Sequence, residues 1–179
     1  RDQKAMELAA IESLKSSARQ LDNKIRSLGK QTVTSSDSKN RAEKQIAAFK
    51  GLLKMPVKGK ISFLFGPYKN QKFNVTNFRS GIGIKVKKGE PVRAVFKGTV
   101  VFSNWFKGYG NMIIIDHGTN YHTVYAHLEE NFKTTGALVE TGEVIATVGE
   151  TSLISEITLY FEIRHHGKPL DPLKWLKHG

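Results

Sequence analysis

Thr158-Leu159-Tyr160-Phe161-Glu162-Ile163-Arg164 alternates apolar and polar side chains without a break, the period of two that belongs to a β-strand. As a strand it sends Leu159, Phe161 and Ile163 to one face and Thr158, Tyr160, Glu162 and Arg164 to the other. The first face is core and the second an open surface. Two earlier stretches have the same build: Ile82, Ile84 and Val86 alternate with Gly81, Gly83 and Lys85, and Val124, Ala126 and Leu128 alternate with Thr123, Tyr125 and His127. Three strands are therefore expected to turn polar faces to a common site, with Tyr125 and His127 on it.

Around these runs, from Met55 onward, the chain is a series of short β-patterned segments divided by glycine turns. The candidates cover residues 59–65, 81–86, 91–96, 98–104, 111–116, 121–128, 144–148 and 158–164. With no helical pattern between them, they predict a mainly β, antiparallel sandwich or barrel. The first 54 residues read differently. Leu8, Ile11, Leu14, Ala18, Leu21, Ile25 and Leu28 recur three and four apart on a polar helix that Gly29 should stop. So narrow a stripe is expected to be one strand of a coiled coil whose partner lies upstream, with a surface helix packed on the main domain as the competing reading. Residues 31–38 are polar and turn-prone, and residues 39–53 suggest a second, shorter helix with Ala42, Ile46, Phe49 and Leu53 on one stripe. Pro56 ends the helical signal. The predicted division is a coiled-coil helix fragment at 1–30, a linker and short regulatory helix at 31–54, and a β domain at 55–179.

The net charge of +12 invites a nucleic-acid reading only if the cations cluster. They do not: residues 1–54 carry 12 Lys+Arg against 6 Asp+Glu and the remainder 16 against 10, so each part contributes +6. No nucleic-acid partner is expected. Cysteine is absent, which excludes disulfides and thiolate metal sites. No apolar run reaches the length of a membrane span, and the start at Arg1 without a signal-peptide pattern suggests a mature or trimmed fragment.

The segments Gly81-Ile82-Gly83-Ile84, Gly89 to Val100, Gly108-Tyr109-Gly110-Asn111, Asp116-His117-Gly118, Tyr125-Ala126-His127-Leu128, Gly142 to Gly149, Leu159 to Arg164 and Asp171-Pro172, in that order and spacing, resemble the lysostaphin-type (LytM) peptidases. The resemblance implies a small antiparallel LytM domain. Those enzymes cleave peptidoglycan cross-links with one zinc, held by the His and Asp of H-x-x-x-D and the second His of H-x-H. Here Arg79 and Gly83 stand at the first motif and Thr158 and Tyr160 at the second. A guanidinium, a bare glycine and a phenol do not make the three-ligand site that catalytic zinc needs. Of the catalytic histidines only His127 remains, and it is expected to be a hydrogen-bonding groove residue. The resemblance thus implies neither metal nor cofactor.

Loss of the ligands behind a helical N-terminus is similar to EnvC-type murein hydrolase activators. That resemblance implies a non-enzymatic periplasmic protein of cell division that binds the regulatory helix of a cell-wall amidase in the emptied groove. It further implies that an FtsE–FtsX membrane complex holds the coiled coil, with peptidoglycan as a further candidate partner. In that family a helical arm covers the groove, and the 39–53 helix, through Ile46, Phe49 and Leu53, is the expected arm. The expected binding surface comprises Arg79, Gly83, Tyr109, Tyr125, His127, Thr158, Tyr160, Glu162 and Arg164: tyrosines for apolar contact and arginines for carboxylates. A metal-dependent endopeptidase and a passive peptidoglycan-binding scaffold are the rival readings.

Overall fold

The computed structural model describes residues 2–31, 45–70, 74–149 and 156–177. Its order is α1 (Asp2–Gln31), a 3₁₀ turn at Ile46–Phe49, β1 (Lys60–Phe63), β2 (Gly66–Asn70), β3 (Val75–Arg79), β4 (Ile82–Lys85), β5 (Pro91–Arg93), β6 (Gly98–Phe106), β7 (Gly110–Asp116), β8 (Tyr121–Asn131), β9 (Leu138–Val139), β10 (Val144–Val148), β11 (Thr158–His165), β12 (Lys168–Leu170) and a 3₁₀ turn at Pro172–Lys174. The main sheet runs β1-β4-β11-β8-β7-β6-β9, with β12 beside β11 and β10 bridging β8 to β5, while β2 and β3 form a separate hairpin. All of these pairs are antiparallel.

The alternating strand lies at the centre. β11 sits between β4, with Tyr160 opposite Gly83, and β8, with Tyr160 opposite Ala126 and Arg164 opposite His122. Its Leu159, Phe161 and Ile163 enter the larger core with Ile82, Ile84 and Ile113, as the period of two requires. Several strands depart from the sequence reading. The β2–β3 hairpin, β9 and β12 have no counterpart among the expected strands; at β2 the pattern is punctuated by Gly66-Pro67, which a hairpin outside the main sheet tolerates. In β8 the faces are reversed: Tyr125 lies in the larger core, and Val124 and Ala126 point to the opposite side.

That opposite side is covered by α1, which continues two residues past Gly29. Leu21, Ile25 and Leu28 are buried against Met112, Ile114, Val124, Ala126 and Tyr160. The helix runs along the sheet, with Ser17 against Gly108, Arg26 against Gly167 and Gly29 beside Asn120. Its first half carries exposed apolar side chains at Met6, Leu8 and Leu14.

Of the expected 39–53 arm, residues 39–44 lie outside the described part, and the rest forms one 3₁₀ turn at Ile46–Phe49 in place of a helix. Ile46 and Leu53 pack in the larger core, Phe49 lies 5.2 Å from Phe96, and Leu53 bridges to Leu176. These three side chains therefore belong to the face away from Tyr160. An apolar stripe buries itself on whichever face is open to it, and α1 holds the other.

Candidate functional site

The side of the sheet beneath α1 is built from alternate residues of three central strands: Met112, Ile114 and Asp116 of β7, His122, Val124 and Ala126 of β8, and Tyr160, Glu162 and Arg164 of β11. At one end an aromatic cluster surrounds Tyr160. Its ring lies 5.4 Å from Tyr109, 6.2 Å from Phe63 and 6.2 Å from His127. Tyr109 reaches it from the β6–β7 turn, where Gly108 has a φ of 87° and must stay small to admit Ser17 of α1.

His127 joins this cluster by a backbone device. Tyr125 and Leu128 both enter the larger core, so one extra residue separates them, and pairing with β7 slips between Asn111 and Ile113. His127 takes the strain, with a φ of 63°. This is a β-bulge that re-aims a side chain. Its amide donates to the Tyr109 carbonyl at 2.9 Å, and burial lowers its pKa to about 4, so the imidazole is neutral at pH 7.

Next to the aromatic cluster lies a charged chain. The Tyr160 hydroxyl donates to Glu162 Oε2 at 2.5 Å, and Arg164 Nε donates to Glu162 Oε1 at 2.6 Å. Arg164 Nη1 donates to Asp22 Oδ1 of α1 at 2.5 Å and to the Gly167 carbonyl at 3.0 Å. Glu162 is wholly buried and Arg164 is 1 % exposed. Burial raises the Glu162 pKa, an effect Arg164 partly opposes. For Arg164, burial works against the charge, but Glu162 and then Asp22 outweigh it and the net shift is upward. Removing either partner of such a buried pair costs more than the pair contributes, since an uncompensated charge is left behind. Burial first, and the Glu162 charge second, push the Tyr160 and Tyr109 phenols up.

Arg79 and Gly83 complete the surface at its β4 edge. The Arg79 guanidinium is sandwiched 4.8 Å from the Phe63 ring and 4.0 Å from that of Tyr68, a cation–π arrangement that fixes its plane. A Cβ on Gly83 would run into the Phe63 ring. Thr158 is buried opposite Lys85 at the end of β11.

Of the predicted surface, Arg79, Gly83, Tyr109, His127, Tyr160, Glu162 and Arg164 gather on this side. Tyr125 does not: it is fully buried on the other, its hydroxyl accepting from the Val95 amide at 3.1 Å and from Thr123 Oγ1 at 3.0 Å, and burial pushes its pKa up to about 12. Sequence reasoning missed Phe63, Met112, Ile114 and Asp22. A signal existed for two of them, since Met112-Ile113-Ile114-Ile115 is a continuous apolar run, and such a run marks a strand covered on both faces.

A family model described as peptidase family M23 matches residues 77–172. The chain belongs to peptidase family M23. The murein hydrolase activator NlpD of Escherichia coli is 37 % identical over 122 residues, which are 68 % of this chain and 30 % of that protein. The murein hydrolase activator EnvC of the same organism is 32 % identical over 96 residues, covering 54 % of this chain and 23 % of that one. The chain thus spans less than a third of either relative. Among solved structures, a zinc-containing peptidase from Vibrio cholerae aligns with a TM-score of 0.65 and 26 % identity over 72 % of this chain and 41 % of that one. The M23 fold here is mostly antiparallel β with an N-terminal helix.

A family that includes zinc peptidases implies a metal, and the residues here do not fit one. The positions that resemble its ligands hold a guanidinium stacked on rings, a glycine roofed by Phe63, and a phenol committed to Glu162. Among the described residues no group of three or more His, Asp or Glu is placed to hold an ion.

Proposed function

We propose that this chain is the activating part of a murein hydrolase activator: a non-enzymatic M23 domain that binds the regulatory helix of a cell-wall N-acetylmuramoyl-L-alanine amidase where α1 now lies. One observation carries the reading. The surface over β7, β8 and β11 accepts an amphipathic helix, through an apolar stripe on Met112, Ile114, Val124 and Tyr160 and a carboxylate on Arg164. A surface that takes α1 is suited to another helix of the same chemistry. The names of the NlpD and EnvC relatives support the activator role, and those names together with a related lipoprotein support a periplasmic place in the cell envelope.

On this reading α1 is an intramolecular competitor, and an amidase helix binds only as far as it outcompetes the docked arm. The exposed Met6, Leu8 and Leu14 continue the helix away from the sheet, as a coiled coil held by an FtsE–FtsX complex during division would require. The endopeptidase reading is disfavoured by the misfit of Arg79, Gly83 and Tyr160 to zinc.

The test is amidase hydrolysis of purified sacculi with the full chain, its Ile25→Asp form and the Ile25→Asp/Tyr160→Ala form. Ile25→Asp should raise activation by freeing the surface, and the added Tyr160→Ala should remove it. Equal activation by all three forms refutes the reading. Sedimentation with sacculi and no effect on any amidase favours the scaffold instead.

A further inference from the structure

His122 lies on the helix-covered face, and the groove described above makes no use of its chemistry. On β8 it stands opposite Asp116 of β7 and Arg164 of β11, on the same side as Val124 and Ala126. It is 1 % exposed, and neither ring nitrogen has a hydrogen-bond partner among the described residues. Buried polar atoms in folded proteins are nearly always satisfied, so an imidazole orphaned at both nitrogens calls for a reason. α1 closes this end of the face: Asp22 reaches Arg164, Arg26 lies against Gly167, and Gly29 sits beside Asn120.

The titratable and charged groups around the ring come from each element beside it, beginning with His117 of the β7–β8 turn, since a charge on His122 disfavours one on His117. Asp116 of β7, which also accepts the Gly118 amide at 2.8 Å, favours an imidazolium. Arg164 of β11 disfavours one, although its own charge is matched by Glu162 and by Asp22 of α1. Arg26 is a further charged residue that α1 brings to this end. Burial is the largest influence and holds the His122 pKa below the ordinary histidine value, ahead of the opposing Asp116 and the reinforcing Arg164.

We propose that His122 makes the docking of α1 proton-sensitive: the helix is held at neutral pH and loosened by acid, because an imidazolium at this position needs the water that only an undocked helix admits. The proposal rests on the docked helix and stands whether or not the surface serves an amidase. Well above the ordinary histidine pKa of about 6.5, docked and undocked forms are both neutral, and docking is insensitive to pH. Below it the undocked form takes up a proton that the docked form refuses. Undocking then gains up to about tenfold per pH unit. Glu162 works in the opposite sense, since a carboxyl held above its usual range is protonated first in the docked form. Loosening between pH 7.5 and 5.5, above the ordinary range of carboxyl groups, is therefore the signature of a histidine.

Amide hydrogen exchange of the intact chain, corrected for the intrinsic pH dependence of exchange, tests this over residues 21–28. Between pH 7.5 and 5.5 the wild-type protection should fall, by up to about tenfold. In His122→Leu, which keeps an apolar body and cannot titrate, the fall should shrink by the His122 share, leaving only what His127 contributes. His122→Gln, polar and unionisable, supplies the same comparison if circular dichroism shows that the leucine form misfolds. His127 is present in every protein tested, so a difference between them belongs to His122. Wild-type protection that holds across the two pH values overturns the proposal, and so does an undiminished fall in the unionisable variants.

Discussion

Ile25→Ala should undock α1 without unfolding the β domain. Ile25 is 1 % exposed and lies between Leu21 and Leu28 in the stripe that meets the sheet. Burying a large aliphatic side chain contributes about 1.5–3 kcal/mol, so the three together contribute roughly 5–9 kcal/mol of gross docking energy, before the helix pays for its ordering. Truncating one buried isoleucine removes about 2–5 kcal/mol, transfer and cavity together. The lower figure already multiplies the undocked fraction by about thirty. The larger core, which holds Leu159, Phe161 and Ile163 and none of the α1 side chains, should be untouched. Native-state proteolysis reads the change directly, because cleavage after Arg19, Lys24 and Arg26 requires a locally open helix and tracks its population when reclosing is fast. Cleavage at those three bonds should accelerate at least about thirtyfold, with the β-domain core remaining intact. Cleavage at the wild-type rate in a folded Ile25→Ala protein would refute the view that this stripe holds the helix.

Three further outcomes follow from the same geometry. Tyr160→Phe deletes the donor to a wholly buried Glu162 and should lower stability by about 1–3 kcal/mol in urea unfolding, and Tyr160→Ala by more. Rebuilding the ligand set as Arg79→His, Gly83→Asp and Tyr160→His should give no tightly held zinc by metal analysis, because Phe63 fills the space an aspartate at 83 would need; adding Phe63→Ala should improve binding. His117, whose imidazole lies between the Lys97 carbonyl and Thr123 Oγ1, has its pKa lowered to about 4, chiefly by burial. The unfolded chain therefore takes up this proton first as pH falls below about 6.5, and this one group should cost the domain up to about 1.4 kcal/mol per pH unit down to pH ~4, so calorimetry of His117→Gln should show an acid slope shallower by that share, His122 and His127 supplying the remainder.

The legible part of this fold was the part written in single-faced strands. β11 announces its two faces because one is wholly apolar and the other wholly polar, and β4 does so because glycine alternates with isoleucine. β8 misleads for a physical reason. Its Thr123 and Tyr125 are polar by composition but satisfied inside, the Tyr125 hydroxyl closing a hydrogen-bonded link from Thr123 to the Val95 amide. Its Val124 and Ala126 look like core and are core, but of the second layer formed with α1. Alternation tells which residues share a face; it does not tell which face is inside when both are covered. His127 breaks even the parity, since its bulge depends on pairing with β7 and the Tyr109 carbonyl, contacts no local pattern encodes.

The seam of α1 poses the same problem from the other side. Leu21, Ile25 and Leu28 have the spacing of a coiled coil and equally the spacing of a helix on a sheet, and nothing in the helix decides between them. The receptor decides. A run such as Met112-Ile113-Ile114-Ile115 needs cover on both sides of the sheet; the larger core supplies one, and only an amphipathic segment from elsewhere supplies the other. Polar markers then set the register, because Asp22 interrupts the stripe at the point where Arg164 emerges from beneath it. A helix that leaves this surface exposes Met112, Ile114 and Val124 together with a buried guanidinium that has lost one carboxylate. The open form is therefore costly unless something with an apolar stripe and a carboxylate takes the place of α1. On the proposed reading, the same side chains that lock the arm define the chemistry a replacing helix must match.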